Sequence, residues 1–144
     1  MRLTTFTDYS MRVLIYLALH PDELVTIADI AEAYGVSKNH LMKVVHYLGL
    51  QGYLETVRGK SGGVRLARPP AEINLGSLVR ATESSSSLAE CFAPTGSECR
   101  IEPACVLRGI LHRGLQAFFG VLDEYTLADA MRNRDKLAVL LKTA

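Results

Sequence analysis

The chain has 144 residues, of which 49% are hydrophobic, so it is expected to form one domain, or one small domain with an appendage, rather than a disordered chain. Its longest strongly apolar run, Val13 to Leu19, is far too short to span a bilayer. No apolar signal region follows the N-terminal arginine, and the three cysteines are an odd number. We therefore expect a cytoplasmic protein with reduced thiols and no membrane partner.

The net charge of +1 conceals a local excess of positive charge. Between Tyr34 and Arg68 only Glu55 is acidic, whereas six residues are basic: Lys38, Lys43, Arg58, Lys60, Arg65 and Arg68. Such an excess in a nearly neutral chain is typical of a surface that binds a polyanion. An ordinary solvated surface is the alternative, which charge alone does not exclude.

The first predicted helix runs from an N-cap at Thr7 to about His20 and is well buried. Asp8 then lies in its first turn, where the helix dipole favours a carboxylate.

A helix-turn-helix is predicted next. Thr26 caps the second helix, Gly35 fits the left-handed position after its end, and Ser37 caps the third. The buried face of the third helix consists of Leu41, Val44, Val45 and Leu48. Its N-terminal end, which normally enters the major groove, carries Lys38, Asn39 and His40.

After Gly52 the pattern changes to that of a β-hairpin, with YLETV and VRLA as strands around the turn RGKSGG. A hairpin at this position predicts a wing, and residues 1–68 then form a winged helix-turn-helix DNA-binding domain. The wing residues expected to contact DNA are Arg58, Lys60, Ser61, Gly62 and Gly63. Glycines allow close approach to a phosphate and the cations neutralise it, although a solvated turn is the alternative.

Residues 69–103 are interpreted as a connecting region. Asn74 caps a short helix, and the serine run from Ser84 to Ser87 is expected to be a flexible surface linker. All three cysteines follow within 15 residues, from Cys91 through Cys99 to Cys105. Three thiols on one loop are typical of a soft-metal or iron–sulfur site. Ordinary free thiols of a reduced protein are the alternative.

Residues 104–144 are predicted to contain the dimerisation helix. Pro103 suits its first position, which places Cys105 in the first turn. The predicted homodimer seam is an apolar stripe of Leu107, Leu111, Leu115, Phe118, Leu122 and Tyr125. Packing within the monomer is the alternative. Three glycines on this helix indicate close approach of a neighbouring backbone, and a last helix, Leu127 to Leu141, is expected to fold back on the seam.

The expected fold is thus mainly α with a small β-hairpin wing: a winged helix-turn-helix plus a long dimerisation helix. The runs LTTFTDYSMRVLIYLA and IADIAEAYGVSKNHLMKVVHYLGLQGYLETVRGKSGGVRLA, with the clustered cysteines, resemble the Rrf-type winged-helix regulators. The resemblance covers nearly the whole chain, and within the family it is strongest to the nitric-oxide-sensing repressors. It implies a bacterial, cytoplasmic transcription regulator and not an enzyme.

The resemblance also implies a homodimer with one iron–sulfur cluster per subunit, held by Cys91, Cys99 and Cys105. In the iron–sulfur-biogenesis branch a histidine three residues after the last cysteine completes the ligand set, but here that residue is Arg108. His112, one helical turn later, is a poor substitute. The nitric-oxide-sensing branch implies an aspartate from the partner subunit, which Asp8 matches. We favour a 4Fe–4S cluster, and 2Fe–2S is the alternative.

Operator DNA with palindromic half-sites is the expected partner, and nitric oxide is the expected signal. Ser37, Asn39 and His40 are placed to read base edges, whereas Lys38 and Lys43 are expected to bind phosphate. Two rival hypotheses use the same thiols: a zinc-stabilised DNA-binding protein and a winged-helix sensor in which two cysteines form a disulfide. A third rival, of another class, is a small metalloenzyme. The sequence shows no general-base constellation that supports the last of these.

Overall fold

A computed structural model describes residues 2–83 and 87–142, and it confirms the mainly helical fold with a two-stranded hairpin. The helices are α1 (Thr5–Leu19), α2 (Ile27–Tyr34), α3 (Lys38–Leu50), α4 (Leu75–Thr82), α5 (Val106–Asp123), α6 (Leu127–Ala130) and α7 (Arg134–Leu140), and the strands are β1 (Leu54–Val57) and β2 (Gly63–Leu66). Single 3₁₀ turns occupy Pro70–Glu72, Glu90–Phe92 and Glu102–Ala104. Most of the serine run predicted as a linker, residues 84–86, lies outside the described residues.

The helix α1 forms the centre of the core. Its inner residues pack with the apolar faces of α2, α3 and α4, and the completely buried side chains include Leu14, Leu17, Ile30, Leu41, Leu48, Leu78 and Leu127. The four residues predicted for the inner face of α3 are all buried. The winged-helix unit therefore completes a hydrophobic core within one chain.

The predicted N-cap of α1 is wrong. The helix begins at Thr5, and the cap is Thr4, whose side chain accepts a hydrogen bond from the Thr7 backbone N–H at 3.2 Å. Thr7 is fully buried, and its hydroxyl donates to Thr82 Oγ1 at 2.9 Å. Thr7 thus joins α1 to α4 as a satisfied polar group in the core.

The turn between α2 and α3 has the expected chemistry. Thr26 and Asp29 form a reciprocal capping box, and the hydrogen bonds from Thr26 hold the pKa of Asp29 below its usual value. Gly35 ends α2 at a φ of 62°, a conformation that favours glycine. Ser37 occupies the N-cap position of α3 but makes no capping hydrogen bond through its side chain.

The wing is fixed to the body of the domain by its second strand. Leu54 to Val57 pair antiparallel with Leu66 to Gly63, and Val64 exchanges two backbone hydrogen bonds with Val25, at 2.8 and 3.0 Å. A Cβ on Gly63 would lie 2.8 Å from the Val25 carbonyl oxygen. Glycine is therefore needed at position 63 for the wing to dock.

Two predictions for the C-terminal part are wrong. Pro103 lies in the 3₁₀ turn, and α5 starts at Val106 with Cys105, in an extended conformation, at its N-cap position. The predicted last helix, Leu127 to Leu141, is divided in two: α6 starts after a capping box of Thr126 and Asp129, and α7 starts after Asn133, which makes no capping hydrogen bond through its side chain. Leu127 is buried in the core, so α6 packs against the winged-helix unit.

Candidate DNA-binding and metal-binding sites

The exposed side of α3 presents the predicted DNA-binding residues to solvent. Ser37, Lys38, Asn39, His40 and Lys43 are all exposed, because the opposite side of the helix is anchored in the core. Sequence reasoning missed two further exposed residues on this side, Met42 and His46. Their spacing of three and seven residues from Asn39 is the signal that identifies them. We call Asn39, Met42, Lys43 and His46 the outer face of α3.

The wing tip divides into exposed and structural residues. Arg58, Lys60 and Ser61 are exposed, whereas Gly62 and Gly63 are half-buried. A Cβ on Gly62 would lie 2.2 Å from the Val57 carbonyl oxygen, so this glycine is required by the turn itself. Gly62 is thus explained by the turn and Gly63 by its contact with Val25, whereas the exposed Arg58 and Lys60 remain available to a ligand.

Two of the six basic residues between Tyr34 and Arg68 make contacts within the protein. Arg65 forms an ion pair with Glu55 on the neighbouring strand. Arg68 donates to the carbonyl oxygens of Gly52 and Gln51 and lies over the Tyr53 ring at 4.7 Å. The other four have no ion-pair partner within residues 2–83 and 87–142: Lys38, Lys43, Arg58 and Lys60. The positive charge available for a polyanion is therefore on α3 and the wing tip.

The cysteine stretch has half-buried thiols, and none of the three forms a disulfide. Cys91 and Cys105 line one open cleft of about 840 Å³, together with Glu102, Arg108 and His112. Cys99 does not line this cleft. In the described part of the chain, no three His, Cys, Asp or Glu side chains are gathered closely enough to hold a metal ion. The donor set nevertheless fits an iron–sulfur group, because free thiols are its usual ligands and two of them share one cleft.

Arg108 connects the two ends of the cysteine stretch. Its Nε donates to the Cys91 carbonyl oxygen at 3.3 Å, and its guanidinium lies 3.7 Å from the Glu102 carboxylate. Phe92 stacks on the His112 ring at 6.3 Å. The first two turns of α5 therefore hold the segment around Cys91, and they place a positive charge beside the cleft.

Asp8 lies in the first turn of α1, as predicted, but away from the cysteines. Its carboxylate pairs with Arg12 at 2.9 Å, and it lines a different cavity from Cys91 and Cys105. The Arg12 guanidinium lies over the rings of Tyr9 and Tyr34 at 5.8 and 5.7 Å. Burial raises the pKa of Tyr34 to about 12, so this phenol stays neutral beside the ion pair.

A ring contact links the helix of Asp8 to the start of α3. The Tyr9 ring lies 6.3 Å from the His40 ring. Asp8, Arg12, Tyr9 and His40 therefore form a continuous set of contacts from the first turn of α1 to the N-terminal end of α3.

The helix α5 has no buried residue within the chain. In the predicted seam, Leu111, Leu115, Phe118 and Leu122 are half-buried, whereas Leu107 and Tyr125 are exposed. A second stripe at spacings of three and four residues is more open to solvent, with Ile110 59% and Val121 56% exposed. We call this stripe, which sequence reasoning missed, the outer stripe of α5: Leu107, Ile110, Gly114, Ala117 and Val121.

The glycines of α5 lie in open space among the residues that the structure describes. A Cβ added at Gly109, Gly114 or Gly120 would meet nothing within 4 Å there. Packing within residues 2–83 and 87–142 thus gives no reason for glycine at these positions.

Comparison with known proteins identifies the family of transcriptional regulators to which the chain is similar. Residues 3–133 match the Rrf2 family, described as "Iron-dependent Transcriptional regulator". The chain belongs to the Rrf2 family. An NsrR transcriptional regulator of Geobacillus kaustophilus (strain HTA426) is 52% identical over 99% of this chain and 97% of its own. Its counterpart from Bacillus subtilis (strain 168) is 50% identical over 99% and 98%. The predicted resemblance to the nitric-oxide-sensing repressors of the family, the NsrR regulators, is therefore confirmed.

A solved structure supports the same fold. T. potens IscR superimposes with a TM-score of 0.75 at 26% identity, over 95% of this chain and 90% of that one. The chain is thus a transcriptional regulator of the winged-helix type and not an enzyme. Within the described residues, no helix has the length and apolar character needed to cross a bilayer.

Proposed function

We propose that the chain is a homodimeric, cytoplasmic repressor whose binding to a palindromic operator requires an iron–sulfur cluster and is lost when nitric oxide attacks that cluster. The observation that carries the proposal is the set of three free, half-buried thiols on one stretch beside α5, in a chain about half identical to regulators named NsrR. The same thiols are compatible with zinc or with a redox disulfide, which are the alternatives.

Cys91, Cys99 and Cys105 are the proposed thiolate ligands, and Asp8 of the partner subunit is the proposed fourth. The positive end of α5 at Cys105 favours a thiolate. Arg108 places a cation beside the same cleft. When bound, a 4Fe–4S group, or in the alternative 2Fe–2S, supplies iron that reacts with nitric oxide. Ligation by Asp8 requires the carboxylate to leave its ion pair with Arg12.

The proposed DNA interface consists of the N-terminal end of α3 and the wing tip. Asn39 and His40, with Ser37, read base edges, whereas Lys38, Lys43, Arg58 and Lys60 hold phosphates. All these residues are exposed, which supports their role in the interface, and the division follows from their side-chain chemistry. Half-sites on one face of the duplex require the two winged-helix units to be spaced by about 34–36 Å, one helical turn.

The proposed dimer forms through α5, which buries none of its residues in the single chain. Asp8 lines a different cavity of the chain from Cys91 and Cys105, which supports a ligand set shared between subunits. Loss of Asp8 as a ligand would then act on α1 and, through Tyr9 and His40, on α3.

Anaerobic purification followed by assays for iron and acid-labile sulfide tests the proposal. We expect a coloured protein that contains both and binds operator DNA, and nitric oxide added in steps should release the DNA as the visible absorbance changes. A colourless protein with zinc, or operator binding controlled by a disulfide, would replace the proposal by the matching alternative.

A further inference from the structure

Met42 is an apolar side chain among the polar residues Asn39, Lys43 and His46 of the outer face of α3. It is 50% exposed in the middle of α3, although the helix already buries four apolar residues on its other side. It is not among the half-buried side chains that pack against the core. The fold of the chain therefore does not account for a methionine at this position.

The position of Met42 places it in the proposed DNA interface. It follows Asn39 by three residues and precedes His46 by four, so its side chain lies between these two on the outer face of α3. Lys43 is the adjacent residue, and no carboxylate lies on this face. An apolar group in this position meets the floor of the major groove when α3 enters it.

A methionine side chain has no strong donor or acceptor, so it cannot read the polar edges of the bases. The one apolar group that the major groove presents is the 5-methyl group of thymine. Three rotatable bonds and a polarisable sulfur allow methionine to adapt to such a methyl group. We propose that Met42 is a specificity-determining residue that contacts a thymine 5-methyl group in each operator half-site. This inference rests on the proposed function, in which α3 binds the operator.

Replacement of thymine by uracil removes only the methyl group and therefore tests the contact directly. An operator is first selected in vitro from random duplexes with the cluster-containing protein. Each thymine of both half-sites is then replaced in turn by uracil, and Kd is measured by fluorescence anisotropy at one salt concentration. For the wild type we expect one thymine position at which uracil weakens binding about three- to fivefold, the effect of burying one methyl group.

The variant Met42→Ala should bind the thymine and uracil duplexes equally, with an affinity near that of the wild type for uracil. Leu50→Ala is the matched control, since Leu50 is 71% exposed at the C-terminal end of the same helix. This control should retain the wild-type discrimination. Circular dichroism and iron content establish that both variants fold and keep the cluster.

Two results overturn the inference and leave DNA binding intact: a wild type indifferent to uracil at every thymine, or a Met42→Ala variant that still discriminates. If such a still-discriminating Met42→Ala variant binds every duplex more weakly, Met42 contacts the DNA backbone or another protein surface instead of a thymine methyl group. A wild type that selects no duplex at all refutes the proposed function itself.

Discussion

The winged-helix unit and the α5 region differ in how much of their structure one chain completes. The first unit buries its apolar residues around α1, and side chains of the same unit cap α1 and α2. By contrast, α5 has no buried residue, and its outer stripe is open to solvent. The three thiols beside it are not gathered into a metal-binding group within the described residues. This difference is what the proposed function leads us to expect: a DNA-binding surface that is complete in one chain, and a cysteine region that a second subunit and a ligand would complete.

The largest expected effect comes from removal of one thiol in the α5 region. Cys99→Ser should abolish the iron and sulfide content, and the affinity for operator should fall toward the non-specific level, about 10³-fold or more weaker. The winged-helix unit should stay folded, because its core lies elsewhere. Iron analysis, anisotropy and circular dichroism measure the three properties.

Thr95→Ala is the control for the thiol, since Thr95 is an exposed residue of the same stretch. It should keep the cluster and the operator affinity. A Cys99→Ser protein that still binds operator specifically and still responds to nitric oxide would show that sensing does not depend on this region.

A smaller effect is expected at the outer stripe of α5. Ile110→Asp places a charge on an exposed apolar position, and burial of an unpaired carboxylate at a subunit seam is costly. We expect the dimer to dissociate at least tenfold more readily in sedimentation experiments, while helix content is unchanged.

Arg113→Ala, an exposed change on the same helix, is the control and should leave the dimer intact. If Ile110→Asp dimerises like the wild type, the outer stripe is not at the seam. The same substitution at Leu115, a half-buried residue of the predicted stripe, then tests the original prediction.

The two regions also differ in how far the sequence alone predicts them. Helix periodicity and capping are local, so the inner face of α3, the Thr26 cap and the turn at Gly35 could be identified directly. The choice between Thr4 and Thr7 depends on Thr82, which is far along the chain. A local pattern cannot supply that information.

The candidate sites show the same limit. The spacing of residues along the sequence predicts the exposed cations of α3 and the wing. It does not predict that Arg65 pairs with Glu55 on the neighbouring strand or that Arg68 lies over the Tyr53 ring. The more exposed stripe of α5 was missed because two of its positions, Gly114 and Ala117, carry little or no side chain. A link between Asp8 and the cysteines involves a second chain, and it stays a prediction.

The smallest effect is expected at the preformed surface, where single cations act additively. Lys60→Ala should weaken binding to every DNA sequence and reduce the slope of log K against log salt by about one unit, because one phosphate contact is lost. Arg65→Ala removes the same formal charge from the wing, but Glu55 already neutralises Arg65, so its slope should change less. Titrations of both variants with operator and random duplexes between 50 and 200 mM salt, roughly the range over which such slopes are defined, measure the difference.

Equal slopes for Lys60→Ala and the wild type would remove Lys60 from the interface. Equal changes of slope for both variants would show that net charge, not position on the wing, determines binding.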